Sequence, residues 1–458
     1  QVSEETRLGY VLFDWSRSPK GTNATGTVVG KCLQPQRLLD LMQFCSELGC
    51  RIAFGIAAMP GRWLREACPS GTKCWHLKPR PECCTTWDGI WDDSNARALL
   101  SLLKDHGVMP WALEFGNELV GKEGVQAHIS PASYHADFVR FANLVHTLWP
   151  PPGPTPLLVT PDSGWDDAWQ TSFLALSPPA DVVSRHEYTI GAGVDVAAES
   201  RAMDPAHLDH LKEEASLAAS TFKTAVPGLE QSIPPSHVAK GFPQLWMGEG
   251  GGCYNSGRPN VTNTFMSSFW YLDNMAVEAQ RSHAAYCRQT FVGGSYSLLD
   301  TDTLAPNPDF FAAVLWRHLM GTKVLNVSLP VATPTTLRVY AHCLASPSSL
   351  GGVALLLLNL DTNITSDGIA LDMQGLGGPI SALGRDEYHM EAPAGDRHSR
   401  VVMLNGVPLR EANATLTPHV VPRGSDVPLL VAPLSYAFIA VRGAAATACH
   451  GSQDAVVV

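Results

Sequence analysis

Over the first three quarters of the chain, short apolar runs bounded by turn residues alternate with helical patterns. Few folds tolerate that alternation: an apolar strand followed by an amphipathic helix is the repeating unit of a parallel sheet. The strand-like runs are 6–13, 51–58, 111–118, 156–162, 181–188, 243–250 and 288–299. Helical periodicity covers 36–48, 95–106 with Ser94 at its cap, 134–148, 264–282 and 308–320. Seven such strands predict an α/β fold, a (β/α)8 TIM-type barrel lacking its first strand-helix unit. An open doubly wound sheet is the alternative, but its Gly-rich phosphate loop is missing, and Gly191-Ala-Gly193-Val-Asp-Val196 is too incomplete to supply one. After Leu329 the texture changes to short β-branched runs at 336–342, 353–360 and 435–441, which predicts a small all-β domain. The expected organisation is a catalytic barrel over 1–329, a β domain over 330–450 and a tail over 451–458. Cys343 and Cys449 stand near the two ends of the β segment, where one disulfide could tie its last strand to its first.

At 45% hydrophobic and 16% charged residues, a chain of 458 residues can bury a large core. A net charge of -11 without any Lys/Arg run excludes nucleic acid as a partner. No apolar stretch reaches the roughly 18 residues of a membrane helix. The chain opens at Gln1 with neither an initiator Met nor a signal-type segment, which reads as a processed or cut N-terminus. Eleven Cys and the acceptor sequons at Asn23, Asn260, Asn326, Asn363 and Asn413 favour a secretory, oxidising compartment, with a secreted, cell-wall, vacuolar or lysosome-like destination. Cys68, Cys74, Cys83 and Cys84 lack the paired spacing of a zinc site and read as a disulfide-stapled loop. The odd Cys total leaves at least one thiol unpaired or paired between chains.

The chemistry is concentrated at two strand ends. Glu118 closes Trp111-Ala-Leu-Glu-Phe-Gly-Asn-Glu118, and Glu249 closes Pro243-Gln-Leu-Trp-Met-Gly-Glu249. One such Glu is commonly a solvated loop residue or a helix cap. Two can meet, because the C-terminal ends of barrel strands converge on one face. A carboxyl pair there can protonate a leaving oxygen and stabilise an oxocarbenium-like transition state, which is glycosidase chemistry. Asn117 is placed to hydrogen-bond a sugar 2-hydroxyl, or else simply ends the strand.

Several ordered blocks resemble the heparanase and heparanase-like (endo-β-glucuronidase) family of retaining glycoside hydrolases, its plant-type members most of all. They are Phe54-Gly-Ile-Ala-Ala58, Glu114-Phe-Gly-Asn-Glu-Leu119, Gly248-Glu-Gly-Gly-Gly-Cys-Tyr-Asn-Ser-Gly257, Phe269-Trp-Tyr-Leu-Asp273, Tyr286-Cys-Arg-Gln289, Gly293-Gly-Ser-Tyr296, Pro306-Asn-Pro-Asp309 and Leu319-Met-Gly321. The resemblance implies a (β/α)8 barrel followed by a C-terminal β-sandwich, and it supports a Cys343–Cys449 disulfide. It assigns the acid/base to Glu118 and the nucleophile to Glu249, with no cofactor and no metal. It places His186 and Tyr188 of Val183-Ser-Arg-His-Glu-Tyr188 beside the sugar, and Tyr296 in a strand at the glucuronate pocket, where Gly257 offers a backbone N–H. A core histidine and a buried tyrosine are the ordinary readings of the same residues. Ala57 stands where relatives carry Asn, and Arg185 or Glu187 where they carry His.

The expected activity is hydrolysis of β-linked glucuronic acid in glycans or small glycosides by double displacement. Heparan sulfate fits poorly without clustered Lys and Arg. The alternative is a non-catalytic carbohydrate-binding descendant, motivated by Ala57 and the absent first unit. That absence also predicts an N-terminal fragment as a partner completing the barrel.

Overall fold

The computed structural model describes residues 10–11, 32–33, 35–66, 83, 85–121, 124, 126–229, 242–345 and 351–450. The chain forms two compact units that are interleaved in sequence. Residues 1–187, 217–249 and 282–285 make the first, and residues 188–216, 250–281 and 286–458 make the second.

The first unit is built on α1 (Pro35–Leu48), β1 (Ala53–Ile56), α2 (Ser94–Asp105), β2 (Ala112–Phe115), α3 (Pro131–Leu148), β3 (Leu157–Val159) and α4 (Asp167–Leu174). It also takes the first parts of β4 (Val182–Ala192), β5 (Gln244–Tyr254) and β6 (His283–Arg288) and the last part of α5 (Pro205–Ala225). The strands lie in the sheet order β1-β2-β3-β4-β5-β6. Pairing is parallel from β1 to β4, with Ala53 opposite Ala112, Ala112 opposite Leu157, and Val159 opposite Val182. Ala112, Leu113 and Phe115 of β2 are all buried, as in a strand covered on both faces. Helix α2 buries Ala96, Leu99, Leu100 and Leu103, a single stripe at helical spacing. Helix α3 begins at Pro131 behind Ser130, whose hydroxyl accepts the Ser133 N–H and caps the first turn.

In the second unit α6 (Phe265–Gln280) and α7 (Pro308–Leu319) accompany an eight-stranded antiparallel sheet. Its main path runs β7 (Met320–Leu325), β8 (Leu337–Leu344), β9 (Val353–Asn359), Ser435–Val441, Arg385–Glu391, Val402–Leu404 and Val407–Leu409, and His419–Val421 pairs with Arg385–Glu391. Strand β9 is apolar at six successive positions because both of its faces are buried. Ala354, Leu356 and Leu358 join a core with Phe265, Phe269 and Phe311 of the two helices. Val353, Leu355 and Leu357 join another with Leu429 and Val431, which belong to a two-stranded ladder with Ile369–Leu371. Across the first of these interfaces, Arg338 of β8 grips Asp273 of α6 at 2.8 Å, and the Tyr340 hydroxyl donates to the same carboxylate. Cys343 and Cys449 are disulfide-bonded, as are Cys45 and Cys50.

Three sequence expectations need correction. The last strand of this sheet is His283–Arg288, not 288–299, where Gly293 and Gly294 take left-handed φ values of 118° and 74° that a strand does not hold. Tyr296 consequently lies in a turn rather than in a strand. Of 6–13, only Tyr10–Val11 is described, and it pairs antiparallel with Cys32–Leu33 in a ladder of its own. The rest of that run lies outside the described residues. Among the described residues, the parallel sheet ends at β1 and β6. Cys83 is disulfide-bonded, while Cys68, Cys74 and Cys84 lie outside the described residues.

Because Asp273 is buried against Arg338, Asp273→Leu leaves the guanidinium in the core with only the half-exposed Asp209, 2.8 Å away, as its counter-charge and takes the acceptor from the Tyr340 hydroxyl. We expect it to cost about 3–5 kcal/mol, read as a lower urea midpoint with an unchanged m-value.

Candidate active site

The carboxylates that the sequence singles out lie together in the first unit. After β2 the backbone turns sharply: Gly116 has φ 83°, and Glu118 itself sits in the left-handed region at φ 53°. A non-glycine residue holds that conformation only when its surroundings impose it. Here the Glu118 N–H donates to the Asp162 carbonyl at 2.7 Å, and the Tyr134 hydroxyl donates to the Phe115 carbonyl at the start of the turn. Gly124 closes over the side chain so tightly that a Cβ there would stand 2.2 Å from Glu118 Oε2.

His186, on β4, joins the carboxylates. Its Nδ1 lies 3.1 Å from Glu118 Oε1 and 3.9 Å from Glu249 Oε2, and its Nε2 lies 2.7 Å from Asp162 Oδ1. The Ser184 hydroxyl donates to the same Asp162 oxygen at 2.9 Å. Glu249 follows Gly248 on β5, where a Cβ would meet Ser184 Oγ at 1.9 Å, so glycine is required for the two strands to approach. One ligand atom from each of Glu118, His186 and Glu249 lies within 4.8 Å of the other two. That spacing would also suit a cation.

Charge decides how this cluster exists. Burial opposes a proton on His186, yet the carboxylates of Asp162, Glu118 and Glu249 outweigh it and hold the imidazolium well above its ordinary range. Glu114, two residues before the Gly116 turn, is pushed up to about 8 by burial first and then by Asp162 and Glu249. Neither Asp162 nor Glu114 is a site residue on sequence grounds. The available signals were a carboxylate inside the apolar run 111–118 and another at the end of 156–162.

Asn117 is half-buried immediately before Glu118. The Ala57 carbonyl accepts from Trp91 Nε1 at 2.9 Å. Arg185 and Glu187 pair with each other at 3.0 Å, and Arg185 also donates to His283, so these departures alternate with Ser184 and His186 along β4. Tyr188, Gly257 and Tyr296 belong to the second unit. There the Tyr188 and Tyr296 rings lie 6.4 Å apart, and a Cβ on Gly257 (φ 80°) would meet the Tyr296 backbone nitrogen at 2.7 Å. Asn260, Asn326, Asn363 and Asn413 are exposed, while Asn23 lies outside the described residues.

The family model "Glycosyl hydrolase family 79, N-terminal domain" matches residues 20–276, more than half of the chain. The chain belongs to glycosyl hydrolase family 79. It is 34% identical to Heparanase-like protein 1 of Arabidopsis thaliana, over 91% of this chain and 76% of the relative. It is 33% identical to baicalin-β-D-glucuronidase of Scutellaria baicalensis, over 90% of this chain and 73% of that one. Chicken (Gallus gallus) heparanase is 28% identical, over 90% and 72%. Among solved structures, a 4-O-α-L-rhamnosyl-β-D-glucuronidase from Fusarium oxysporum superposes with a TM-score of 0.55 at 12% identity, covering 94% of this chain and 82% of its own. That likeness is one of fold, and with the parallel sheet it fits a (β/α)8 glycosidase. In this family 79 chain no described helix is long and apolar enough to cross a membrane.

The Glu114 carboxyl, raised from 4.5, binds its proton more tightly folded than unfolded, so its contribution to stability falls as pH rises from about 4.5 to about 8 and is level above. His186, raised by its partners, adds stability that is present below its unfolded value and lost as pH climbs through its folded one. Comparing wild type with Glu114→Gln isolates the first effect. We expect the variant to gain stability relative to wild type across that window in urea melts, with no relative gain below it.

Proposed function

We propose that this chain is a retaining glycoside hydrolase acting on β-linked glucuronic acid, with Glu118 as acid/base and Glu249 as nucleophile. The observation that carries the proposal is that Glu118 and Glu249 present oxygens within 4.8 Å of each other beside His186. Double displacement calls for carboxyl groups about 5–5.5 Å apart, whereas inversion leaves about 6.5–9.5 Å for a water. Glu249 attacks the anomeric carbon as Glu118 protonates the departing oxygen. Glu118 then deprotonates the water that releases the sugar, with overall retention.

Glucuronides are proposed as substrates because the relatives include a baicalin-β-D-glucuronidase and heparanases. With a net charge of -11, small glycosides or neutral glycans carrying glucuronic acid are better candidates than sulfated chains. Asn117 and Tyr188 are proposed as sugar contacts and Gly257 and Tyr296 as uronate contacts, while His186, expected beside the sugar, has both ring nitrogens on carboxylates and is proposed as a partner of Glu118. The parallel sheet is proposed as part of a (β/α)8 barrel and the antiparallel strands as part of a β-sandwich. Exposed sequons and two disulfides support passage through a secretory compartment. A non-catalytic descendant is the weaker reading, since a binding groove has no need of an acid matched to a nucleophile.

Glu249→Gln should lower turnover of 4-nitrophenyl β-glucuronide by several orders of magnitude while leaving thermal melting unchanged. Glu118→Ala should spare that substrate more than an alkyl glucuronide, whose leaving group needs the proton. Proton NMR of the first-formed sugar should show the β anomer. Turnover of the Glu249 variant above a few per cent (order of magnitude), or an α product, would overturn the assignment.

A further inference from the structure

Asp162 holds Glu118 from two directions. Its carbonyl accepts the Glu118 N–H at 2.7 Å, which secures a peptide bent into the left-handed region. Its carboxylate lies 2.7 Å from Nε2 of His186, whose Nδ1 is 3.1 Å from Glu118 Oε1. The same Asp162 oxygen accepts from Ser184, and the His186 side chain is only 1% exposed, so the imidazole has no freedom to turn away.

We infer that Asp162 is a positioning residue for the acid/base step, fixing His186 with a proton on Nε2 and Nδ1 turned to Glu118. This rests on the reading of Glu118 as acid/base. The chemistry explains why such a partner is useful. Glu118 must be a carboxylic acid in the first displacement and a carboxylate after it has protonated the leaving oxygen. A carbonyl at Oε1 would repel the carboxylate and draw the acid's proton away from the leaving oxygen. An imidazolium suits both states: Nδ1–H donates to Oε1 while the acid proton sits on Oε2, and it donates to the same oxygen once that proton has gone to the leaving group. This puts a cation in a buried place, and an anion on the far nitrogen makes that tolerable. Asp162 supplies it. Glu114, Glu118 and Glu249 are the other titratable groups facing the imidazole, and Asp162 Oδ1 is the oxygen that stands 2.7 Å from Nε2.

The test compares two substrates, 2,4-dinitrophenyl β-glucuronide, which leaves without a proton, and methyl or phenyl β-glucuronide, which does not. General acid catalysis contributes about 10²–10⁴-fold, and losing its orientation forfeits part of that. Asp162→Asn, which keeps the shape but removes the charge, should lower kcat/KM by about tenfold or more on the poor leaving group and by no more than about twofold on the good one. His186→Gln should show the same split, and the double variant no more than the larger single loss. A role confined to folding would lower both substrates together. Equal losses, no loss, or losses that multiply in the double variant would overturn the inference while leaving Glu118 and Glu249 in their roles. Wild type inactive on both substrates would instead remove the reading on which it rests. Should Asp162→Asn fail to fold, a long-range ¹H–¹⁵N spectrum of the wild-type protein decides. Nε2 of His186 should carry a proton across the folded pH range, and a neutral ring protonated only at Nδ1 refutes the proposal.

Discussion

Four carboxyl groups meet on one side of a parallel sheet, and they can do so only because a single imidazole stands among them. Like charges at such spacing in a poorly solvated place would force protons onto most of the cluster, leaving little difference between an acid and a base. His186 breaks the symmetry. It faces Glu118 on one nitrogen and Asp162 on the other, with Glu249 slightly further off. At Glu114 burial, reinforced by Asp162 and Glu249, outweighs the pull of His186, and the group holds its proton. The glycines at 124 and 248 follow from the same requirement, since each clears the space that lets a neighbouring strand or loop close on the cluster.

What the sequence reveals of this site depends on whether a residue's role is local. Glu118 and Glu249 stand at the ends of apolar runs, and a strand-end carboxylate is visible without knowing its neighbours. Asp162 also ends such a run, but its meaning comes from His186, on the adjacent strand, and from the backbone of Glu118. No local pattern encodes that. Glu114 looks like one polar interruption of a buried strand until Asp162 and Glu249 are seen to act on it.

The fold was legible to a similar degree. The helices at 35–48, 94–105 and 308–319 follow the periodic pattern closely, because one apolar stripe governs each. The last strand of the first unit's sheet was displaced because 288–299 is as apolar as a strand but contains Gly293 and Gly294, whose conformations break it. The 21-residue helix Pro205–Ala225 was not anticipated, its small residues giving only a faint stripe. Compactness, too, escapes a linear reading: α6 and α7 belong to the same core as the antiparallel strands.

The two-sided burial of β9 carries a consequence for how the second unit finds its register. A strand with polar and apolar residues in alternation rejects a one-residue slip, because the slip would turn its greasy side to water. Val353-Ala-Leu-Leu-Leu-Leu358 has no such veto, since either parity presents aliphatic side chains to both layers. The information that aligns this sheet must therefore be written in its neighbours: in Arg338 and Tyr340, which find Asp273 only when β8 is in phase, and in Cys343, whose sulfur meets Cys449 in the same phase. The central strand supplies cohesion, and its flanks supply the address.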